Sequence, residues 1–318
     1  MIRRRATLLG ALAAPVVLRG ARAEAATLRA AQYKAGDQLL MRLAGEGQPD
    51  GYKVAWSEFG SGNLMVEAMN AGAIDIAYGS EIPPAFAAAS GAAIKVIAVI
   101  RGDVNEQVLL VPQSSTAQGV ADLRGKRVGY VRATTTQFYL NRMLAEAGLT
   151  PADVQLVNLS PSDGLAAFRQ GALDAWAIYG YSVPIARAEG ARQLRNAAGI
   201  LSGNYLMFAR PAALADPALA PVLADHLRRL ARAFHWMDGN HATLADAQSA
   251  LLGVPRAAVL SLLDGASQPR RLVAPDSSAI ASHQQVADAF IQLGLLPRGT
   301  DVARVWDRDF AARISLPA

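Results

Sequence analysis

Two short polar turns each lead straight into an apolar helical pattern: FGSGN at 59–63 and RATTTQ at 132–137. The first N–H groups of a helix have no partner inside it, and the helix dipole places partial positive charge there. Gly60 to Asn63, with Ser61 among them, and Thr134 to Gln137 are therefore candidate cradles for an anion. Three consecutive threonines, Thr134, Thr135 and Thr136, add hydroxyl donors at the second turn, and Arg132 is a candidate for a full positive charge beside them. Three more turns fall at the carboxyl ends of predicted parallel strands, where open α/β sheets take ligands: QYK at 32–34, GSEIPP at 79–84 and IYGYS at 178–182. Trp176, in the strand that leads to the last of these, and Tyr179, within it, are candidates to wall an alkyl tail.

The usual catalytic signatures fail. GVADLRGKR resembles a phosphate loop, but five residues rather than four separate Gly119 from Gly125, and Arg127 stands where a magnesium-binding hydroxyl belongs. FGSGN lacks the third glycine of a dinucleotide fingerprint, and no Gly-x-Ser-x-Gly elbow occurs. His226, His235, His241 and His283 lack the spacing of a zinc helix and are expected to be solvated on helices. Asp75 and Asp174 each follow a helix-ending glycine, a place that predicts turn capping rather than acid–base chemistry. The chain has no cysteine, which removes disulfides, thiol catalysis and thiolate metal sites. No cofactor and no metal is expected.

The elements that position these turns repeat along the chain. GAIDIAYGSEIPP at 72–84 returns as GALDAWAIYGYSVP at 171–184, so that Asp75 corresponds to Asp174. Each copy closes a strand, polar turn, helix, strand sequence: TLRAAQY, KVAWSEF and AIDIAYG in the first half, and RVGYV, VQLVNL and LDAWAIYG in the second. This βαβ pattern predicts an α/β fold of mostly parallel sheets with right-handed crossovers. Asn63 is a plausible cap for the helix after FGSGN, and Gly72 its left-handed terminator. AIKVIAVI and QVLLVP read as buried strands and NYLMFAR as a return strand, while the chain from Asp216 onward reads as almost wholly helical, with no strands of its own. Placed back on the first half, it makes that lobe discontinuous: residues 24–112 with 211–318, and 113–210 as the second lobe. The two crossings, near Val111 and near Arg210, would form a hinge.

Residues 1–23 carry Arg3, Arg4 and Arg5, an apolar stretch from Ala6 to Leu18, and Ala-x-Ala at 21–23, the pattern of a secretory signal peptide with a twin-arginine route open. Removing them takes five arginines and no acids from 31 basic and 26 acidic residues, leaving the two signs equal. The whole-chain pI of about 9.7 therefore gives no reason to expect nucleic acid as a partner.

EFGSGNLMVEAMNAGAIDIAYGSEIPPAFAAASG, DLRGKRVGYVRATTTQFYLNRMLAEAGLTPADVQ, FRQGALDAWAIY and HQQVADAFIQLGLLP resemble, in order and spacing, the periplasmic aliphatic-sulfonate-binding proteins of ABC importers. The wider group also binds taurine, nitrate and thiamine precursors. The resemblance implies the two-lobed type II periplasmic-binding-protein fold with two hinge crossings, a monomeric periplasmic receptor, an ABC permease in the inner membrane as partner, and an alkanesulfonate as ligand. It places ligand groups at Gln32, Gly60, Ser61, Gly79, Ser80, Glu81, Thr134, Thr135 and Trp176. Two departures bear on the ligand. Tyr179-Gly180-Tyr181 replaces the common Trp-Asp-Pro, and Arg132-Ala133-Thr134-Thr135 replaces Lys-Gly-Ser-Ser, which leaves taurine, nitrate or an aromatic sulfonate open. A cofactor-free enzyme on the same fold, like some two-lobed proteins of menaquinone biosynthesis, is the alternative of another class. The leader and the lack of an acid–base pair argue against it.

Overall fold

The computed structural model describes residues 25–312 and Ile314, and the expected leader over residues 1–23 lies outside them. The chain begins with β1 (Ala26–Gln32), α1 (Asp37–Leu43), β2 (Tyr52–Glu58), α2 (Gly62–Asn70), β3 (Ile76–Ser80), α3 (Ile82–Ser90) and β4 (Lys95–Arg101). It continues through β5 (Val108–Val111), β6 (Arg127–Tyr130), α4 (Thr135–Glu146), β7 (Gln155–Asn158), α5 (Pro161–Arg169), β8 (Ala175–Ile178), α6 (Ser182–Ala188) and β9 (Arg192–Asn196). After β10 (Asn204–Ala209) come α7 (Pro211–Ala215), α8 (Leu219–Met237), α9 (His241–Leu252), α10 (Arg256–Asp264), β11 (Arg271–Val273), α11 (Ser277–Gln292) and α12 (Arg308–Ala312). The C-terminal third thus contributes one short strand, β11, where only helices were expected.

The strands form two sheets, in the orders β11-β4-β10-β3-β1-β2 and β7-β6-β8-β5-β9, and each is the centre of one lobe. Both are mixed rather than mostly parallel. β1 runs parallel to β2 and β3, and β6 to β7 and β8. β10 is antiparallel to β3 and β4, β11 to β4, and β5 to β8 and β9. The chain crosses between lobes over residues 102–107 and 197–203, before the expected positions near Val111 and Arg210. β5 therefore belongs to the second lobe and β10 to the first. Both strands are apolar and mostly buried, and a strand buried on both faces carries no sidedness to indicate which sheet it joins.

The repeated aspartates explain the repeated sequence. Asp75 accepts from Arg29 N at 3.0 Å, Nε at 2.9 Å and Nη2 at 2.7 Å, while Arg29 Nη1 caps the end of α2 at the Gly72 carbonyl. Asp174 accepts from Arg127 N at 2.8 Å, Nε at 3.0 Å and Nη2 at 2.9 Å, while Arg127 Nη2 reaches the Gly171 carbonyl at the end of α5. Each carboxylate thus clamps the first strand of a βαβ unit to the approach to its third strand, and the arginine rather than the aspartate caps the turn. In the first lobe Arg210, just after β10, adds a second guanidinium at 2.6 Å from Asp75. Burial alone would raise Asp75, but the hydrogen bonds from Arg29 and Arg210 outweigh it and hold the carboxyl below its ordinary value.

α8 lays Leu223, Leu227, Leu230 and Phe234, spaced three to four residues apart, against the first sheet. Full burial of each such side chain contributes roughly 1.5–3 kcal/mol. His226 on α8 and His283 on α11 are 2% and 0% exposed, so two of the four histidines are core residues, not solvated ones. His226 packs against Trp56 with ring centroids 5.6 Å apart and planes tilted by 52°, and His283 Nδ1 accepts from Trp306 Nε1 at 3.1 Å. Burial lowers His226 to about 4 and His283 to about 3, so both imidazoles are neutral. The lobes touch around the cleft between them, α6 against α10 among other places. Phe138 of α4 meets Phe290 of α11 at 6.3 Å, and Tyr181 Oη donates at 2.8 Å to Gln248 Oε1 of α9.

Candidate ligand-binding cleft

α2 starts from Ser61, whose extended backbone (φ −154°, ψ 155°) and hydroxyl cap the helix in place of the expected Asn63. α4 starts from Thr134, also extended (φ −129°, ψ 179°), whose hydroxyl accepts from Thr136 N. Such residues favour these positions because their oxygens satisfy one free N–H each. The two helices, nine and twelve residues long and drawn from opposite lobes, open at their N-termini onto one cavity of about 230 Å3. Ala133 precedes Thr134 with φ of +55°, a conformation that a residue with a side chain adopts only at some cost, and its N–H donates to Gln137 Oε1 at 2.7 Å.

The cavity wall is neutral. Tyr33, Gly60, Ser61, Gly62, Asn63, Ser80, Pro83, Gln107, Ala133, Thr134, Thr135, Tyr179 and Tyr205 line it, and none of these carries a charge. Tyr33 is pushed well above the usual phenol range by burial, with Tyr179 and Tyr205 nearby adding to it, so its hydroxyl keeps its proton. That hydroxyl lies over the start of α2, where a Cβ added to Gly62 would stand 3.2 Å from it and 2.8 Å from Pro83 Cγ. Glycine is required there by close approach. Of the three threonine hydroxyls, those of Thr134 and Thr136 turn back to the Val131 carbonyl at 2.8 and 3.0 Å, and that of Thr135 donates to Gln107 Oε1 at 2.8 Å. An uncharged chamber ringed by N–H and O–H donors suits a ligand that only accepts hydrogen bonds.

Six of the residues expected at the site line this cavity: Gly60, Ser61, Ser80, Thr134, Thr135 and Tyr179. Five do not. Gln32 is buried and holds the start of α1, accepting from Gln38 N at 2.9 Å. Gly79 lies in β3, packed on Gly62 and Tyr33. Glu81 turns aside to accept from Ser202 at 2.8 Å. Arg132 is exposed, its backbone N–H donating to Asn158 Oδ1 at 2.9 Å. Trp176 is 0% exposed in the core of the second lobe, beside Phe168 at 5.7 Å and against Gly129 and Gly164. β8 alternates its side chains across the sheet, and Trp176 falls on the face that α5 covers. Sequence reasoning missed Gln107 and Tyr205, one on a crossing and one on β10, and took Gln32 rather than Tyr33 from the QYK turn.

Beyond Tyr33, Gln107, Tyr179 and Tyr205 the cavity continues into a second compartment of about 640 Å3. Among the described residues no group of three or more His, Asp or Glu side chains is placed to hold a metal ion, and no described helix is long and apolar enough to cross a membrane.

A family model described as NMT1/THI5 like matches residues 49–216 of the chain. An Escherichia coli (strain K12) protein named for aliphatic-sulfonate binding is 34% identical over 260 residues, 80% of this chain and 79% of its own length. The crystal structure of the periplasmic aliphatic sulphonate binding protein SsuA from E. coli superposes with a TM-score of 0.79 at 29% identity, covering 89% of this chain and 92% of that one. The alkanesulfonate-binding protein SsuA of Xanthomonas axonopodis pv. citri bound to MOPS superposes with a TM-score of 0.80 at 30% identity, covering 90% and 99%.

Proposed function

The chain belongs to the NMT1/THI5-like family, and on that footing we propose that it is the periplasmic substrate-binding protein of an ABC importer, closing its two lobes over an alkanesulfonate. The observation that carries this reading is the neutral chamber where α2 and α4 present their N-termini from opposite lobes. A sulfonate stays ionised at every working pH and accepts hydrogen bonds through three oxygens. It needs neither a carboxylic acid to share a proton nor a cation to neutralise it, provided enough preorganised N–H and O–H groups converge. The N–H groups at Ser61 to Asn63 and at Thr134 and Thr135 supply these, with the hydroxyls of Tyr33 and Ser80. Tyr179 and Tyr205 flank the way into the larger compartment, so the tail of an organic anion has room that nitrate would leave empty.

In this reading, binding on one lobe is completed by donors on the other, so the ligand favours the closed form and closure marks the loaded receptor for the inner-membrane permease. Residues 1–23 direct export, and the receptor acts as a monomer.

Calorimetric titration of protein refolded to strip carried-over ligand tests this. Hexanesulfonate is expected to bind with micromolar affinity, about 8 kcal/mol, and hexanoate at least about tenfold more weakly. Equal affinity for the carboxylate, or no binding of the sulfonate, would remove the sulfonate assignment.

A further inference from the structure

The larger compartment is not the apolar tail pocket that a simple alkanesulfonate calls for. Five carboxylates and three Lys or Arg side chains line it. Asp238 pairs with Arg271, Asp264 with His241, and Asp103 accepts from Asn105 and Ser267. Asp37 and Glu106 have no such partner: neither makes a hydrogen bond or an ion pair among the described residues, although Asp37 is only 5% exposed. Burial lifts Asp37 to about 6, only partly offset by Arg270, and Glu106 to about 7, where Arg270 and Arg187 oppose the rise and Asp103 adds to it. That guanidinium lies over the rings of Tyr205 and Phe234 at 5.9 and 5.7 Å, within 4 Å of neither carboxylate.

Asp37 opens α1 in the first lobe, and Glu106 sits on the first crossing between lobes. A ligand with a purely apolar tail would bury both carboxylates further and leave them unpaired, which is costly. A cationic group beside either carboxylate would partner it and restore its charge. We propose that this compartment is a subsite for an ammonium group at the far end of the ligand, taken by the Asp37 or the Glu106 carboxylate. The preferred substrate is then an elongated zwitterion, with its sulfonate at the helix N-termini. This rests on the sulfonate reading of the cleft and names the rest of the molecule. Tyr33 sets the spacing: its hydroxyl lies at the start of α2, while its ring meets the edge of Tyr78, 5.3 Å away, in the larger compartment with Asp37. A tyrosine side chain thus separates the two ends, which calls for a chain of several methylenes rather than the two of taurine.

The test is a pair of titrations, hexanesulfonate against 6-aminohexanesulfonate, on the wild-type protein and on Asp37→Asn and Glu106→Gln. The amino compound is expected to bind at least about tenfold more tightly, about 1.4 kcal/mol, and substitution of the carboxylate that takes the ammonium is expected to cut that ratio to about threefold or less. The ratio of two affinities in one protein is insensitive to a general loss of stability. Should Asp37→Asn fail to fold, Asp37→Glu, which keeps the charge, and Glu106→Gln, outside any helix or strand, still read it: a preference kept in both leaves the ammonium on the residue-37 carboxylate, and one lost in Glu106→Gln places it there. If both sulfonates bind and the amino compound is no tighter, the ammonium subsite is overturned while the sulfonate receptor stands. A preference that survives both Asp37→Asn and Glu106→Gln overturns the assignment to these carboxylates. If neither sulfonate binds, the receptor reading itself falls and takes the subsite with it.

Discussion

Replacing Tyr33 by Phe isolates the contribution of one hydroxyl to anion binding. The phenol makes no hydrogen bond to another described residue, its ring is fixed edge-on against Tyr78 at 5.3 Å, and its oxygen overlies the first residue of α2. Removing the oxygen therefore leaves the aromatic packing in place and leaves no buried partner unsatisfied, so the ligand-free variant is expected to be at least as stable as the wild type. A hydrogen bond to a charged group contributes about 1.5–3 kcal/mol, so hexanesulfonate should bind roughly 10- to 150-fold more weakly. Calorimetry measures this directly, and a smaller ligand-induced rise in melting temperature provides a second readout, since stabilisation follows the ratio of free ligand to Kd. Burial keeps the phenol protonated, so the loss should not vary between pH 6 and pH 9. An affinity within twofold of wild type would refute the reasoning: the anion would then not sit where Tyr33 and the start of α2 converge, and the neutral chamber would not be its seat.

The repeated clamps should differ in strength despite their matching geometry: Asp75 is 1% exposed and takes two guanidiniums, Asp174 is 35% exposed and takes one. Urea denaturation is expected to show a loss of about 3 kcal/mol for Asp75→Asn and about 1 kcal/mol or less for Asp174→Asn; equal losses would contradict the account. His226 and His283 are lowered by burial to about 4 and about 3, below the unfolded value near 6.5. Their contribution is therefore complete above pH 6.5 and is lost as pH falls toward those values, at up to about 1.4 kcal/mol per pH unit for each histidine. Replacing either by Gln should flatten the dependence of the denaturation midpoint between pH 6.5 and 4, and an unchanged slope would show the imidazole to be solvated. Gly164→Ala within α5 would ordinarily strengthen a helix by up to about 1 kcal/mol; here the new Cβ would stand 2.7 Å from Trp176 Nε1, and a loss of about 1–3 kcal/mol is expected in the same assay. A gain would mean that the indole has room to move.

What could be read in the sequence was local or repeated. Strand, turn, helix and Gly-Ala-apolar-Asp occurring twice fixed two similar βαβ units, because each feature depends only on neighbours along the chain. The two turns that open α2 and α4 were legible for the same reason: Ser61 and Thr134 cap helices through hydroxyls that reach N–H groups only two or three residues ahead. Tertiary structure alone decided how these pieces meet. β5 and β10 are uniformly apolar where they are buried, so only their antiparallel partners show that each lies one lobe away from the expected position. Trp176 and Tyr179 are three residues apart, yet one is sealed between β8 and α5 and the other lines the cleft, a difference set by which sheet face each meets. Gln107 and Tyr205 reach the chamber, and Asp37 and Glu106 share one compartment, only because the chain crosses twice and folds its last third back on the first lobe. Chain order determined the anion cradles one at a time. Bringing them to one point, with uncharged walls between them, depended on contacts between residues tens to more than a hundred positions apart, which no local pattern encodes.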